Sequence, residues 1–224
     1  MTMVLAITFL GIILAVSYIV QRSRATQRAE ASSGSNDMGL ALADFRIPKG
    51  IFFHPGHTWV SLMTGGDVRV GIDDFIRKLA GPLKEIDLPE IGTELAQGTS
   101  AVTLKFDSKM LSLPIPISGI VTNINQTIAE KPSEIGNRTL AREWLIDITP
   151  TNISDEVRGL NIAEQVREWI TKEMERIKEF LISQSGRPEM LGATFPDGGE
   201  PVQGVLNMLD SEGIQQFEQK FLHA

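Results

Sequence analysis

The sequence predicts a mainly β protein, a flattened barrel or sandwich of antiparallel strands followed by helices. Between residues 45 and 149, short apolar runs with two-residue alternation are separated by Gly, Pro and Asp, as in such folds. From Ile162 onward the apolar residues follow three- and four-residue spacings, which are typical of an amphipathic helix. Residues 1–21 contain no charged side chain and predict a transmembrane helix ahead of the β region.

The composition excludes several classes of function. The chain has 224 residues, enough for one domain with an anchor and an extension. Its formal net charge of −7 and the lack of a dense Lys/Arg stripe argue against nucleic acid as a partner. Without cysteine, it has no disulfide, thiolate nucleophile or cysteine-based zinc site. Phosphate-loop, dinucleotide-binding and nucleophile-elbow motifs do not occur, so we predict a protein that is not an enzyme.

The apolar N-terminal segment predicts a membrane topology. As a helix, residues 1–21 would span roughly 30 Å, the thickness of the bilayer hydrocarbon core. Arg22, Arg24 and Arg28 follow this segment, and the positive-inside rule then places the remaining chain in the cytoplasm. This predicts a single-pass protein of the inner (cytoplasmic) membrane with its soluble domain facing the cytoplasm. A cleaved signal peptide is the alternative.

The β region is predicted at residues 45–152, after a flexible linker at 22–44. Residues 58–63 and 68–72 predict a hairpin around a Gly-Gly turn. Residues 73–79 predict a short helix with Asp73 as its N-cap. Further strands are predicted at residues 83–88, 100–104, 111–117, 119–125 and 144–148.

The C-terminal third is predicted to be helical, as an amphipathic region at 153–185 and an extension at 186–224. Asn161 and Glu164 have the spacing of a capping box at the start of the first helix. The stripe behind them consists of Ile162, Val166, Trp169, Ile170, Met174, Ile177 and Leu181. Breakers at residues 186–188 and 196–201 are followed by a predicted last helix at 211–222.

Several blocks resemble the glycine cleavage system H-protein family, whose fold is a lipoyl-type (barrel-sandwich hybrid) domain. The matching blocks are His-Pro-Gly-His-Thr-Trp-Val at 54–60, Val-Gly-Ile-Asp-Asp-Phe at 70–75, Leu-Pro-Glu-Ile-Gly at 88–92, Ser-Gly at 118–119 with Asn123 and Asn125, and Trp-Leu at 144–145. Gly56 stands where the family usually has an acidic residue. The resemblance covers residues 51–150 and implies a flattened barrel of two antiparallel sheets.

The resemblance also implies a candidate site on the hairpin around residues 105–110. Family members carry a lipoyl arm on a lysine eight residues before the proline of a Pro-x-Ser-Gly turn. Counting back from Pro116 gives Ser108, and Lys109 follows one residue later. Lys105 occupies the place of an expected glutamate. A one-residue shift along a strand turns a side chain to the other face of the sheet.

Three hypotheses about function follow. The first is a domain without a cofactor that acts as a docking or scaffold component of a membrane-associated assembly, binding proteins through the hairpin tip or the C-terminal helices. The alternative is a lipoyl carrier that uses Lys109 to shuttle aminomethyl, acyl or sulfur-bound groups between enzymes. A membrane-fusion adaptor is the third, although it would favour a periplasmic domain and a long coiled coil.

The histidines do not predict a metal site. His54 and His57 are three residues apart, but a third ligand at useful spacing is missing and His223 is distant in sequence. We expect His57 and Trp59 to pack or hydrogen-bond as a structural pair.

Overall fold

Two antiparallel sheets organise the residues that the computed structural model describes, which are 40, 42–162, 164–184 and 203–223. The larger sheet has seven strands in the order β10-β1-β2-β3-β9-β8-β5, and the smaller has three in the order β4-β6-β7. The strands are β1 (Ile51–Phe53), β2 (Thr58–Leu62), β3 (Val68–Ile72), β4 (Glu85–Asp87), β5 (Glu94–Leu95), β6 (Ser100–Phe106), β7 (Lys109–Pro114), β8 (Gly119–Ile124), β9 (Trp144–Pro150) and β10 (Asn161–Ile162). This confirms the predicted mainly β, antiparallel class.

Helices follow and interrupt the strands. The α-helices are α1 (Asp74–Ala80), α2 (Gln126–Glu130), α3 (Ile153–Glu156), α4 (Glu164–Gln184) and α5 (Ser211–Phe217). Short 3₁₀ turns lie at Leu42–Asp44, Pro132–Glu134, Leu140–Arg142, Val157–Gly159 and Val205–Met208, and a π-helical turn continues α5 over Glu218–Leu222. None of the helices in the described ranges is long and apolar enough to cross a membrane.

One apolar core joins both sheets to helices α1, α4 and α5. Its largest buried side chains include Trp59, Phe75, Phe106, Phe217 and Phe221. The Trp59 indole N–H donates to the Ile72 carbonyl at 2.8 Å, so its one polar group is satisfied. Its ring lies against Gly71, where an added Cβ would be 2.4 Å from the indole Cζ2. The pairing of β3 with β9 shifts register at this glycine, which lets the ring approach the backbone closely.

Helix α1 forms where the sequence predicted it. The Asp73 carboxylate accepts from the Ile76 amide at 3.1 Å and caps the first turn. Gly81 ends the helix with φ of 77°. The helix buries Phe75, Ile76 and Leu79 against the core.

The start of the long helix differs from its prediction. Asn161 and Ile162 form strand β10, which pairs with β1, so neither belongs to helix α4. Ile162 is 39% exposed and therefore does not extend the buried stripe. A short strand cannot be separated from a helix start by periodicity alone, because it is shorter than one helical repeat. The Gln165 side chain accepts from the Ile162 amide at 3.4 Å in place of the predicted capping box.

The last helix is confirmed, and other predictions fall outside the described residues. The Asp210 carboxylate caps α5 by accepting from the Gly213 amide at 2.7 Å. The predicted transmembrane helix at 1–21, most of the linker at 22–44, and the breakers at 186–188 and 196–201 lie outside the described residues.

Candidate functional site

Strands β6 and β7 form a hairpin with a tighter tip than the sequence predicted. Residues 105–110 were expected to form the turn, but Lys105 pairs with Met110 and Phe106 pairs with Lys109. The turn therefore contains only Asp107 and Ser108. Asp107 adopts φ of 49°, in the left-handed region that Asp tolerates better than most residues.

Lys109 is the first strand residue after this turn, and its amine is engaged. Its Nζ donates to the backbone carbonyl of Asn207 at 2.7 Å, and the side chain is half-buried. Strand alternation places Lys109 on the same face as the buried Leu111 and Leu113, whereas Met110 on the other face is 58% exposed. The lysine thus faces the C-terminal part of the chain, and Ser108 remains exposed at the tip.

A cavity of about 330 Å³ adjoins the hairpin tip. One wall comes from the hairpin and the other from α5 and the turn after it. Its lining residues are Ser108, Lys109, Met110, Ser112, Ser211, Ile214, Gln215 and Glu218.

Lys105 lies on the outer face of the small sheet, beside two acids of the neighbouring strand β4. Its Nζ is 3.1 Å from the Glu85 carboxylate and 3.0 Å from that of Asp87. Hydrogen bonds to Asp87 and Glu85 raise the pKa of Lys105. Acidic groups therefore lie beside the hairpin in space, although the hairpin sequence has a lysine at the expected glutamate position.

Comparison with known proteins identifies the fold that carries this hairpin. The family model described as glycine cleavage H-protein matches residues 51–173, more than half of the chain. The chain belongs to the glycine cleavage H-protein family. Members of this family are lipoyl carriers and not themselves catalysts, in agreement with the prediction that the protein is not an enzyme.

Curated relatives match the H-protein domain over nearly their whole length. A glycine cleavage system H protein of Anoxybacillus flavithermus is 31% identical over 127 residues, covering 57% of this chain and 98% of the relative. A probable glycine cleavage system H protein of Thermococcus kodakarensis is 26% identical over 131 residues, covering 58% and 97%. A crystal structure of a glycine cleavage system H protein from Mycobacterium marinum aligns with a TM-score of 0.49 at 25% identity, over 57% of this chain and 98% of that one.

These findings correct the predicted localisation. A single-pass protein of the inner membrane does not fit relatives that are described only as H-proteins and that align over nearly their whole length. The described residues also provide no membrane-spanning helix. We therefore withdraw that localisation, and with it the membrane as a partner. Residues 1–21, on which the prediction rested, lie outside the described ranges.

His57 lies at the centre of the H-protein domain as a buried charged group. Its Nδ1 donates to the Asp73 carboxylate at 2.8 Å, and its Nε2 is 3.8 Å from the Glu173 carboxylate on α4. The ring stacks between Phe75 and Trp169, at centroid distances of 4.4 and 4.9 Å. Burial works to lower the pKa of His57, but Asp73 and Glu173 outweigh it and raise that pKa to about 9.

The predicted partner of His57 was wrong in detail. His57 packs against Phe75 and Trp169, while Trp59 donates to Ile72 instead. Asp73 is 16 residues away and comes from the cap of α1. The Asp-Asp pair at 73–74 was visible in the sequence, but the approach of α4 that brings Glu173 to this point left no local signal.

His54 and His223 lie closer together than their sequence separation suggested. Both line a cavity of about 450 Å³ beside Pro114 and Leu222. The His54 Nδ1 accepts from the Gly56 amide at 2.9 Å. Burial and the charge of His57 lower the pKa of His54 to about 4. Within the described ranges, no group of three or more His, Asp or Glu side chains is placed to hold a metal ion.

A second charged cluster, which sequence analysis missed, ties the start of the domain to α1. The Arg46 guanidinium bonds the Asp74 carboxylate at 2.5 and 2.7 Å and the Glu143 carboxylate at 2.8 Å. Burial tends to raise the pKa of Asp74, and the bonds from Arg46 hold it below its ordinary value. Glu143 also accepts from the Gly136 and Arg138 amides, each at 2.8 Å. This saturated network has a structural role.

Proposed function

We propose that this protein is a carrier that holds lipoate as an amide on Lys109 and passes a bound group between enzymes. The observation that carries the proposal is the position of the Lys109 amine, directly after the two-residue turn of the hairpin. Membership of the H-protein family supports it, because members carry lipoate on a hairpin lysine. The names of the relatives favour an aminomethyl group from glycine cleavage as the group carried.

The attachment chemistry suits a lysine and excludes the neighbouring serine. The uncharged Nζ attacks the carboxyl carbon of lipoate that has been activated as an acyl adenylate. An amide forms, the bond from that carbon to the phosphate oxygen breaks, AMP leaves, and the amine proton passes to water. The Ser108 hydroxyl would form an ester instead. Lys109 is therefore the residue of this tip that fits the group.

The two other lysines near the tip are already held by acids. Lys84 donates to the Asp107 carboxylate at 3.3 Å, and Lys105 bonds Glu85 and Asp87 on the outer face. Lys109 bonds a neutral carbonyl, so its release leaves no carboxylate unpaired.

The test is intact-mass and peptide mass spectrometry after co-expression with a lipoate ligase. We expect one lipoyl adduct, located on Lys109, in the full chain. Lys109→Arg keeps the charge and should lose the adduct, whereas the matched control Lys105→Arg should retain it. An unmodified full chain, or an adduct at another lysine, would overturn the proposal.

A docking component without lipoate is the second candidate, and one observation favours it. The Lys109 amine already has a structural partner in the Asn207 carbonyl. In this case protein partners would bind the hairpin tip, where Met110 is exposed, or the C-terminal helices. Lys109→Ala would then leave co-purification of partners unchanged, whereas Met110→Glu would reduce it. The reverse pattern supports the carrier.

We also propose the domain limits that the sequence indicated. The H-protein domain would occupy residues 45–152, followed by a helical region at 153–185 and an extension at 186–224. Limited proteolysis with mass analysis of the fragments tests these limits, since cleavage should concentrate between segments.

A further inference from the structure

Residues 203–223, here called the C-terminal cover, lie across the hairpin that bears Lys109. The family match ends at residue 173, so the cover lies outside it. Two polar contacts join the cover to β7. The Asn207 carbonyl accepts from Lys109 Nζ at 2.7 Å, and the Glu218 carboxylate accepts from the Ser112 amide at 2.7 Å. The second contact occupies an edge-strand donor that the sheet leaves open.

The part of the cover that touches Lys109 is a short 3₁₀ turn, Val205–Met208, held by its own hydrogen bonds. The Asn207 side-chain amide donates to the carbonyls of Ala80 and Gly204, both at 3.1 Å. The Gly204 amide donates to the Lys78 carbonyl at 2.8 Å. These bonds fix the turn on the end of α1 and thereby place the Asn207 carbonyl over the lysine.

The cover is also anchored in the apolar core, by Val205 and Leu206 within this turn and by two phenylalanines at its far end. Phe217 and Phe221 are fully buried and stack at a centroid distance of 4.7 Å. The Arg176 guanidinium donates to the Lys220 carbonyl at 2.5 Å and lies 4.9 Å from the Phe221 ring centroid. Opening of the turn at Lys109 would therefore draw Val205 and Leu206 out of the core, while the phenylalanines at the far end could stay packed.

Gly56 gives the end of the cover room to pack. A Cβ at residue 56 would lie 2.6 Å from the Leu222 carbonyl oxygen and 2.3 Å from Pro114 Cγ. A larger residue at this point would push the cover off the domain. The sequence thus departs from the family pattern at two places, Gly56 and the hairpin tip, and the cover touches both.

We propose that the C-terminal cover is a gate over Lys109, which must lift from the hairpin before an activated acyl group can reach the amine. A bonded, half-buried ammonium offers neither a lone pair nor an approach path for a bulky acyl donor. The lifting motion needs the Val205–Met208 turn to leave the core and the Glu218 side chain to release the Ser112 amide, with the phenylalanine anchor intact. The inference rests on the proposed function only for which lysine is modified, since the contact itself is independent of lipoate.

Reaction of the full-length protein with limiting N-hydroxysuccinimidyl acetate tests the gate without any ligase. Peptide mass spectrometry follows each lysine, and Lys84, whose side chain is 63% exposed, serves as the internal reference. We expect Lys109 to react about tenfold more slowly than Lys84, because it reacts only from the locally opened state. Equal rates for the two lysines would overturn the proposal.

Two substitutions should release the gate. Asn207→Ala removes both side-chain bonds that hold the turn, and Glu218→Ala removes the bond to Ser112. Each should speed acetylation of Lys109 several-fold and leave Lys84 unchanged, provided that circular dichroism and Tm show a folded protein. The control Asn123→Ala removes a side-chain bond of similar kind in the larger sheet and should change neither rate. Folded release variants with an unchanged Lys109 rate would refute the gate.

The same variants separate the gate from the carrier function. If acetylation accelerates and lipoylation by the ligase also increases above a detectable wild-type level, both proposals hold. If acetylation accelerates but lipoate is never attached, the gate stands and the carrier function fails. If the wild type accepts lipoate as fast as the release variants do, the gate fails and the carrier function stands.

Discussion

His57 combines a rare backbone conformation with a buried positive charge. Its φ is 64°, and its side chain is fully buried between two aromatic rings. A non-glycine residue in this region is strained unless its surroundings fix it. Here the carboxylates of Asp73, at the N-cap of α1, and of Glu173, in α4, hold the imidazole ring in place. The residue therefore links α1 and α4 through one imidazolium.

Because His57 is charged in the folded protein, we predict that folding stability falls as pH rises above 6.5. The folded-state pKa of His57 is raised from 6.5 to about 9, so its contribution is fully present below pH 6.5 and is lost as pH rises to 9. The loss is on the order of 3 kcal/mol, at 1.36 kcal/mol per pKa unit. Urea unfolding at a series of pH values measures it. His57→Asn, which tolerates a positive φ, should flatten the slope between pH 6.5 and 9; an unchanged slope would contradict the assignment.

His54 has the opposite effect on folding stability, which it lowers at acidic pH. Its folded-state pKa is lowered to about 4, so the unfolded chain binds the extra proton between pH 4 and 6.5. Stability from this residue therefore falls as pH falls through that range. Together the two histidines place their joint optimum near the ordinary pKa of histidine.

At the scale of single elements, strand β3 depends on Gly71 for its contact with Trp59. Gly71→Ala would bring a methyl group within 2.4 Å of the indole, and both strand and ring would have to shift. We expect a loss of roughly 2–3 kcal/mol in the free energy of unfolding, as for other overpacked core sites. The control Gly159→Ala meets no atom within 4 Å and should change stability by less than about 0.5 kcal/mol. Comparable losses for both variants would refute this account of β3.

The regular elements were predictable because their signals are local. Helix α1 has its cap and apolar positions within eight residues, and α4 repeats its apolar spacing over several turns. Strand β10 was missed because two residues carry no usable period, and its pairing with β1, Phe52 with Ile162 and Phe53 with Asn161, defines it. The hairpin tip was predicted too wide because β6 is extended by backbone pairing with other strands, Lys105 with Glu85 of β4 and Phe106 with Lys109 of β7.

At the scale of the whole molecule, the sequence predicted where the candidate site lies but not what contacts it. The sequence located Ser108 and Lys109 on a hairpin, since strand runs and a turn proline flank them. It did not show that the Lys109 amine would be bonded, because Asn207 is 98 residues further along the chain. The charged pairs of Arg46 with Asp74 and Glu143 were missed for the same reason, with separations of 28 and 97 residues.

The cover and the H-protein domain should unfold together. Phe217 is fully buried and stacks on Phe221, so Phe217→Ala should cost about 3–5 kcal/mol, as for other large core truncations. The control Ile91→Ala, at a side chain 60% exposed, should cost less than about 1 kcal/mol. Fluorescence of the tryptophans and circular dichroism should report one coincident transition for each variant. Two separate transitions would show that the cover folds on its own.

Helix α4 continues beyond the end of the family match, so the end of the match and the end of the packed structure are different boundaries. The match to the family model stops at Glu173, in the middle of a helix that runs from Glu164 to Gln184. A fragment cut at that point would keep Glu173 beside His57, lose its ion pair to Arg176 and expose the apolar surface under Ile177 and Leu181. In this chain, the match to the family therefore ends before the residues that pack into the common apolar core do.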